Sequence, residues 1–351
     1  MTAIPADAAS ALAKFKVETG ATNVPWVDSP FFPHLLPTLG LDPEMERIAR
    51  DFARDGYVII DPEIPDEIIE RTARDLRNRF VPTYEPYYAD QTRIQDGWIF
   101  SQPVKEIASA PRVLEILKAL YQREAIPFQT LNFCVGSQQR THSDTIHFDS
   151  IPQGFMCGAW VALEDVDANN GPLHYYPGSQ KLPIYNMSDI GISASLQSHP
   201  YDNYSKYEDF VEALMLTEEL QRAEIRVKRG QCLIWAANLF HGGSPIIDSS
   251  RSRLTQVTHY YFSGCLYYTP LLSDAAIGKM FVRKSVNVVT GQLVPQYYNG
   301  LQVENPGEWP PKLAGVPSAM EEHPIVEPPR PTRFHQRFLG WLARPDASVR
   351  S

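Results

Sequence analysis

Two imidazole–carboxylate pairs lie close together in one polar stretch, His142-Ser143-Asp144 and His147-Phe148-Asp149. Side chains alternate with period two along an extended chain, so the two ends of a His-x-Asp share one side. Two such ligands joined by a distant histidine make a two-histidine, one-carboxylate triad. That set leaves metal positions open and suits non-haem Fe(II). The two pairs are offset by five residues. On one strand an odd offset turns them to opposite faces, so only one pair can be the metal site. A lone His-x-Asp arises by chance in many chains, and its bland counterpart is a polar strand end with a surface aspartate.

The downstream residues decide between the pairs. Asn169-Asn170-Gly171-Pro172-Leu173 begins 27 residues after His142 and is followed by Tyr176-Pro177-Gly178-Ser179-Gln180-Lys181. The apolar run Cys232-Leu233-Ile234-Trp235 then leads into Phe240-His241-Gly242-Gly243-Ser244, with Arg251 and Arg253 ten and twelve residues after His241. A histidine ending one strand and an arginine on the next suit a metal ligand and an anion clamp. The always-charged guanidinium fork matches the distal carboxylate of a 2-oxo acid. Arg251 shares the strand parity of Arg253 and stays open as the alternative.

In this order the motifs resemble the phytanoyl-CoA dioxygenase family of Fe(II)/2-oxoglutarate-dependent oxygenases, a group that includes ectoine hydroxylases. The likeness rests on His142-Ser143-Asp144, Ala159-Trp160, Asn170-Gly171-Pro172-Leu173, Pro177-Gly178-Ser179-Gln180-Lys181, His241-Gly242 and Arg253, and spans roughly residues 45–262. It implies a mainly β fold with supporting α-helices around a double-stranded β-helix (jelly-roll, cupin-like) core. It implies Fe(II) held by His142, Asp144 and His241. The co-substrate 2-oxoglutarate would bind through its 2-oxo and C1 carboxylate oxygens, with Arg253 on its far carboxylate. O2 is the second co-substrate, and succinate and CO2 are released.

The spacing to the Asn-Asn-Gly turn favours His142/Asp144 over His147/Asp149. The second pair then falls near the cleft mouth, as a hydrogen-bonded loop pair or as substrate contacts. Ser244 lies near a family position that hydrogen-bonds 2-oxoglutarate, although the family serine more often sits two past the histidine, where this chain has Gly243. Trp160 resembles a pocket-wall position and fits a core tryptophan equally well. Family halogenases replace the carboxylate ligand by Ala or Gly; Asp144 is intact, so oxygenation is expected. Gln180 stands where the family usually has histidine, outside the metal set.

The elements that must position these residues are legible in outline. Hydrophobic residues make up 43% and charged residues 21% of the 351, a globular balance that excludes disorder of the whole chain. Basic residues number 32 against 41 acidic, a net charge of −9 that argues against a nucleic-acid partner. Thirty prolines, well above average usage, disfavour an all-helical bundle. The four cysteines form no CxxC pair, which excludes a zinc ribbon. With no apolar leader and no run of the ~18 apolar residues a membrane span needs, a cytoplasmic protein with reduced thiols is expected.

Residues 1–40 read as an irregular arm. Residues 43–55 read as an amphipathic helix with Met45, Ile48, Ala49 and Phe52 on one face. A short strand is expected at 57–60, a helix from Pro65-Asp66 and another over 111–121. Strands are expected over 127–135, 156–163, 171–176, 224–228, 231–236 and 253–262, with a helical insert near 207–222. The catalytic domain is thereby expected over 41–265, and a Pro-rich extension packing on the core over 266–351. Within that tail, 333–342 has helical spacing and fits a docking helix, a homodimer contact or a membrane-surface contact.

The expected function is hydroxylation or related oxidation of a small-molecule metabolite, as in secondary metabolism. Desaturation, ring closure and epimerisation share the same oxidant. A non-catalytic jelly-roll binding or scaffold protein and a protein side-chain hydroxylase are the alternatives. Pocket walls are sought in Tyr84-Glu85-Pro86-Tyr87-Tyr88 with Trp98, and in Tyr267, Tyr268, Tyr297 and Tyr298. An acidic chain without an obvious basic cluster near the site points to an uncharged or modestly polar substrate rather than an acyl-CoA.

Overall fold

Helix starts are set by local chemistry. A short helix, α1 (Phe32–Leu35), precedes α2 (Pro43–Asp55). Asp42 caps α2: its Oδ1 accepts the Met45 N–H at 2.8 Å, and Pro43 fills the first turn, where its missing N–H is no loss. The face bearing Met45, Ile48, Ala49 and Phe52 is buried. Gly56 ends the helix at φ 81°, and any Cβ there would also lie 2.5 Å from the Gln180 Oε1. The helices α3 (Asp66–Arg77), α4 (Gln102–Ala108) and α5 (Pro111–Tyr121) bury similar stripes, Ile69 and Leu76 in α3 and Ile116, Leu117 and Leu120 in α5 among them.

These coordinates are a computed structural model, which describes residues 23–80, 92–199 and 201–315. The aromatic run at 84–88 and the helical spacing at 333–342 lie outside the described residues. One compact unit runs to Ala314. Among the described residues no helix is long and apolar enough to cross a membrane.

The strands follow in chain order. They are β1 (Tyr57–Ile60), β2 (Arg93–Gln95), β3 (Ala125–Phe133), β4 (Asp149–Ile151), β5 (Met156–Ala162) and β6 (Leu173–Tyr175). After α6 (Tyr204–Thr217) come β7 (Ala223–Glu224), β8 (Cys232–Ala236), β9 (His241–Gly243), β10 (Thr255–Phe262) and β11 (Leu266–Tyr268). Six form one antiparallel sheet in the order β1-β8-β5-β10-β3-β2, and three form a smaller sheet, β7-β6-β9. The arrangement is a double-stranded β-helix backed by helices.

Period two explains how the larger sheet serves two layers. Cys157, Ala159 and Val161 of β5, Cys232 and Ile234 of β8, and Tyr260 and Phe262 of β10 join the core formed with the helices. The alternate residues Trp160, Leu233, Trp235 and Val257 join a second core with Tyr175 and Leu173 of the small sheet. Both faces are covered, so β5, β8 and β10 are buried along their whole length. The cysteines are all free. Burial pushes the thiols of Cys232 and Cys265 up to about 12, and lifts that of Cys157 well above its ordinary value.

The helical insert begins and ends earlier than its sequence periodicity predicts, at Tyr204 and Thr217 instead of 207 and 222. Glu219 adopts φ 51°, a left-handed conformation that a right-handed helix does not continue through. Residues after 262 continue over the core: β11 pairs with β4, and Val294 is buried among the helix-side residues.

Gly158 is the position at which the sheet makes room for the site. It pairs with Trp235 on one side and His259 on the other, and a Cβ there would sit 2.1 Å from the Trp235 ring. A Gly158→Ala variant must therefore displace that indole, at a cost of about 1–3 kcal/mol from overpacking. The expected result is a lower thermal midpoint with altered tryptophan fluorescence; an unchanged midpoint and spectrum refute this account of the packing.

Candidate active site

The site begins with backbone pairing. His142 and His241 exchange both main-chain hydrogen bonds, each 2.9 Å, as an isolated antiparallel bridge. Ser143 is extended, so His142 and Asp144 share one side; a tight turn over Asp144–Ile146 follows at once. That turn breaks the alternation before His147 is reached.

The motifs around the bridge hold it in place. Ser179 of the Pro-Gly-Ser turn accepts the Phe240 N–H at 2.9 Å, and Tyr176 N–H donates to Phe240 O at 3.0 Å, fixing the residue before His241. Ser143 Oγ donates to Ala237 O at 3.0 Å, and Asn238 donates to Gln180 O and Leu182 O, tying the two ligand segments to one loop. Gln180 itself donates to Ala53 O at 3.3 Å, at the end of α2. Its role in this chain is thus to close a helix.

His142, Asp144 and His241 present ligand atoms that all lie within 4.8 Å of one another, and all three residues are buried. The Nδ1 of His142 donates to Arg140 O and that of His241 to Leu239 O, both at 2.9 Å. Each Nε2 is thereby the atom that carries the lone pair, and that of His142 accepts from the Gln139 amide at 3.3 Å. The carboxylate is oriented as well. Trp235 Nε1 donates to Asp144 Oδ2 at 2.8 Å, while Oδ1 lies 3.9 Å from both Nε2 atoms.

Burial, reinforced by His241, pushes the His142 imidazole down to about 3. Burial alone raises the Asp144 pKa, but His241, His259, His142 and the Trp235 N–H outweigh it and hold the carboxyl below its ordinary value. At neutral pH the donor set includes an ionised carboxylate and a neutral imidazole, both largely buried. Such a carboxylate is costly to bury without a cation beside it.

The three residues line a cavity of about 540 Å³. Arg253 and Trp160 line it too, so both fall where a co-substrate can reach them. Arg253 is only 1% exposed. Its Nη1 donates to Gly171 O at 3.1 Å and its Nη2 to Val135 O at 3.3 Å, which explains the Asn-Asn-Gly turn: it supplies the carbonyl that aims this side chain. Its Nε and the Trp160 Nε1 are buried without a hydrogen-bond partner. Burial lowers the guanidinium to about 10, so it keeps its charge at neutral pH.

The other two candidates stand elsewhere. Arg251 clasps the surface Asp167 with contacts of 2.9 and 2.8 Å and does not line the cavity. Its supposed parity with Arg253 fails because β10 starts only at Thr255. Ser244 is held by Arg222 at 2.6 Å and Glu224 at 2.7 Å, also away from the cavity. His147 does line the cavity, with Tyr204 Oη 3.1 Å from its Nε2, whereas Asp149 accepts from Ser150 N–H, Gly154 N–H and Gln153 to close its own turn. Tyr267 is a core residue stacked on Tyr261, and neither Trp98 nor Tyr268, Tyr297 and Tyr298 lines the cavity; Tyr201 and Tyr204 do. Sequence reasoning missed Trp235, His259 and Arg283. The first two were findable, since each shares strand parity with an inward-facing neighbour, Leu233 or Val257.

The profile of the phytanoyl-CoA dioxygenase (PhyH) family matches residues 52–254. The chain belongs to that family. It is an Fe(II)/2-oxoglutarate-dependent oxygenase, as family membership entails. The fold of this PhyH protein is shared with the non-haem α-ketoglutarate-dependent carbocyclase SnoK from nogalamycin biosynthesis, at TM-score 0.50 and 15% identity over 65% of this chain and 87% of that one. The epimerase SnoN in complex with Fe3+, α-ketoglutarate and nogalamycin RO aligns at TM-score 0.49 with 20% identity, covering 68% of this chain and 91% of that one. EctD from S. alaskensis with 2-oxoglutarate and 5-hydroxyectoine aligns at 0.46 with 18% identity, covering 75% and 81%. No curated protein matches the chain in sequence.

The residues present in this PhyH member fit the family's cofactors. An oriented carboxylate flanked by two imidazoles suits Fe(II), and a buried guanidinium with an unsatisfied Nε suits an anion. Iron content after anaerobic loading separates the two His-x-Asp pairs. His142→Ala should lose at least ~10-fold in iron affinity, as loss of a ligand or its support does, and His147→Ala should keep its iron; the reverse pattern refutes the assignment.

Asp149 carries a second expectation, on pH. Burial raises its carboxyl from the ordinary 3.8 to about 6, against the pull of its donors. The folded state then holds a proton that the unfolded chain has released. The stabilisation is complete below about 4 and is lost as pH rises through about 6, with a slope of about 1.4 kcal/mol per pH unit. Asp149→Asn should flatten that part of the pH–stability curve in denaturant titrations; an unchanged slope contradicts it.

Proposed function

We propose that the protein hydroxylates or otherwise oxidises a small-molecule metabolite, with His142, Asp144 and His241 as the iron ligands. The observation that carries this reading is the convergence of two Nε2 atoms and one Asp144 Oδ1 within 4.8 Å, buried and already in ligand form. When bound, Fe(II) with 2-oxoglutarate and O2 supplies an oxidative decarboxylation that yields succinate, CO2 and an oxidant able to take hydrogen from a C–H bond.

The chain's own residues supply the rest. Leu239 and Arg140 carbonyls hold the two Nδ1 atoms, so both Nε2 atoms are turned toward the metal position. The Trp235 indole engages one carboxylate oxygen and leaves the other for the metal. Arg253 would pair with the far carboxylate of 2-oxoglutarate, since its guanidinium donates only to the Gly171 and Val135 carbonyls and its Nε has no acceptor. Apolar side chains of the cavity wall, Phe148, Trp160 and Leu173 among them, would limit the water around the iron position.

Release of succinate from 2-oxoglutarate, with Fe(II) and ascorbate, tests the reading. Wild type should turn over 2-oxoglutarate slowly without a primary substrate, and Asp144→Ala should not. Arg253→Gln should raise the KM for 2-oxoglutarate by roughly 30-fold or more, from the ~2 kcal/mol or more lost when a buried charged pair is broken. Arg251→Gln should leave that KM in place. Full turnover by Asp144→Ala would falsify the triad, and an unmoved KM in Arg253→Gln removes the clamp.

A further inference from the structure

We propose that the primary substrate is an organic acid whose carboxylate is held by Arg283, with its apolar body lying between that residue and the iron position. The inference deepens the proposed function and rests on it.

The first argument is charge. Among the described residues lining the cavity, Asp144 is the sole carboxylate, while three arginines line it, the solvent-exposed Arg93 and the less exposed Arg253 and Arg283. A divalent ion and a doubly charged 2-oxo diacid cancel one another, and Asp144 offsets Arg253. The charge of Arg283 is then left without a counterpart. No described carboxylate pairs with it; Nη1 donates to Thr269 Oγ1 at 3.0 Å, and Nε is sealed from solvent without an acceptor. The Nε–Nη2 edge of a guanidinium is the one that grips a carboxylate with two parallel bonds. A neutral substrate leaves that deficit in place, whereas a carboxylate makes it good.

Position is the second argument. The Arg283 Cζ lies 4.7 Å from the Phe148 ring centroid and 5.9 Å from that of Phe128. Phe148 in turn lies 5.0 Å from the His259 ring, whose Nε2 is 3.8 Å from Asp144 Oδ2. The cation is thus held two rings away from the metal ligands. Arg253 approaches Phe133 instead, at 5.8 Å. Phe128 and Phe133 are five positions apart on β3, so the two guanidiniums sit beside different residues of that strand.

The third argument is where the wall comes from. Thr269, Leu271, Leu272, Phe281 and Arg283 all line the cavity and all follow residue 254, where the family match ends. This wall is therefore additional to the motifs shared across the family. Its make-up, apolar side chains around one cation, matches an amphipathic acid. The sequence shows no basic cluster because the arginines are scattered along it, so the uncharged substrate expected there gives way to an anionic one.

The test uses full-length protein loaded with Zn(II) and excess 2-oxoglutarate, so that Arg253 is engaged. Binding of benzoate, 3-phenylpropionate, 4-phenylbutyrate and cyclohexanecarboxylate is compared with that of their primary amides by ligand-observed NMR. At least one acid should bind ~10-fold or more tighter than its amide. Arg283→Gln should abolish the difference, and Arg283→Lys, which keeps the charge, should retain part of it. Equal binding of acids and amides, no acid binding, or a preference that survives Arg283→Gln overturns the proposal. Because the readout is binding, the two ideas fail separately. A wild-type protein that releases succinate but shows no acid preference loses only this inference, while one that holds no iron and releases no succinate loses the proposed function.

Discussion

The reciprocal backbone pair between His142 and His241 is the constraint on which the site depends. Two residues that exchange both main-chain bonds are held at a fixed separation and facing, whatever their side chains do. Everything nearby serves that pair. The Pro-Gly-Ser turn fixes the residue before His241, and Ser143 and Asn238 fix the loop on the other side. The six-stranded sheet then contributes Trp235, which reaches across to the carboxylate between the two rings. The geometry of the ligand atoms is a property of the strands before it is a property of any ion.

Much of this was legible in the sequence, for identifiable reasons. His-x-Asp, the distal His-Gly and Arg253 are side chains whose spacing encodes strand alternation, and alternation survives wherever the chain is extended. Ser143 is extended, so the inference from period two held at His142 and Asp144. It failed at Arg251, because the chain there is irregular and β10 has not begun. Helices α2 and α5 were legible from apolar stripes at 3.6 spacing and from a proline in the first turn. The insert was misplaced because a left-handed Glu219, without glycine, carries no compositional sign of a helix end.

The rest was not legible because it depends on contacts between distant segments. Ser244 stands near a plausible position in the sequence, yet Arg222 and Glu224, at β7 on the far side of β6, claim its hydroxyl. Tyr267 looks like a pocket aromatic and is instead stacked in the core on Tyr261. Gln180 looks like a departure from a motif and in fact finishes a helix more than a hundred residues away. For Ser244 and Gln180 the deciding partner comes from another part of the chain, and for Tyr267 it is the reversal between β10 and β11 that lays the two rings together.

The alternation of the central strands has a chemical consequence as well as a packing one. Cys157 and Cys232 point into the helix-side core, while the tryptophans on the same two strands point toward the iron position. Burial keeps both thiols protonated far above neutral pH. Only the thiolate is readily oxidised. Peroxide that enters the cavity thus meets indole rings on this face of the sheet, while these two sulfur atoms lie behind it in the form that reacts slowly with peroxide.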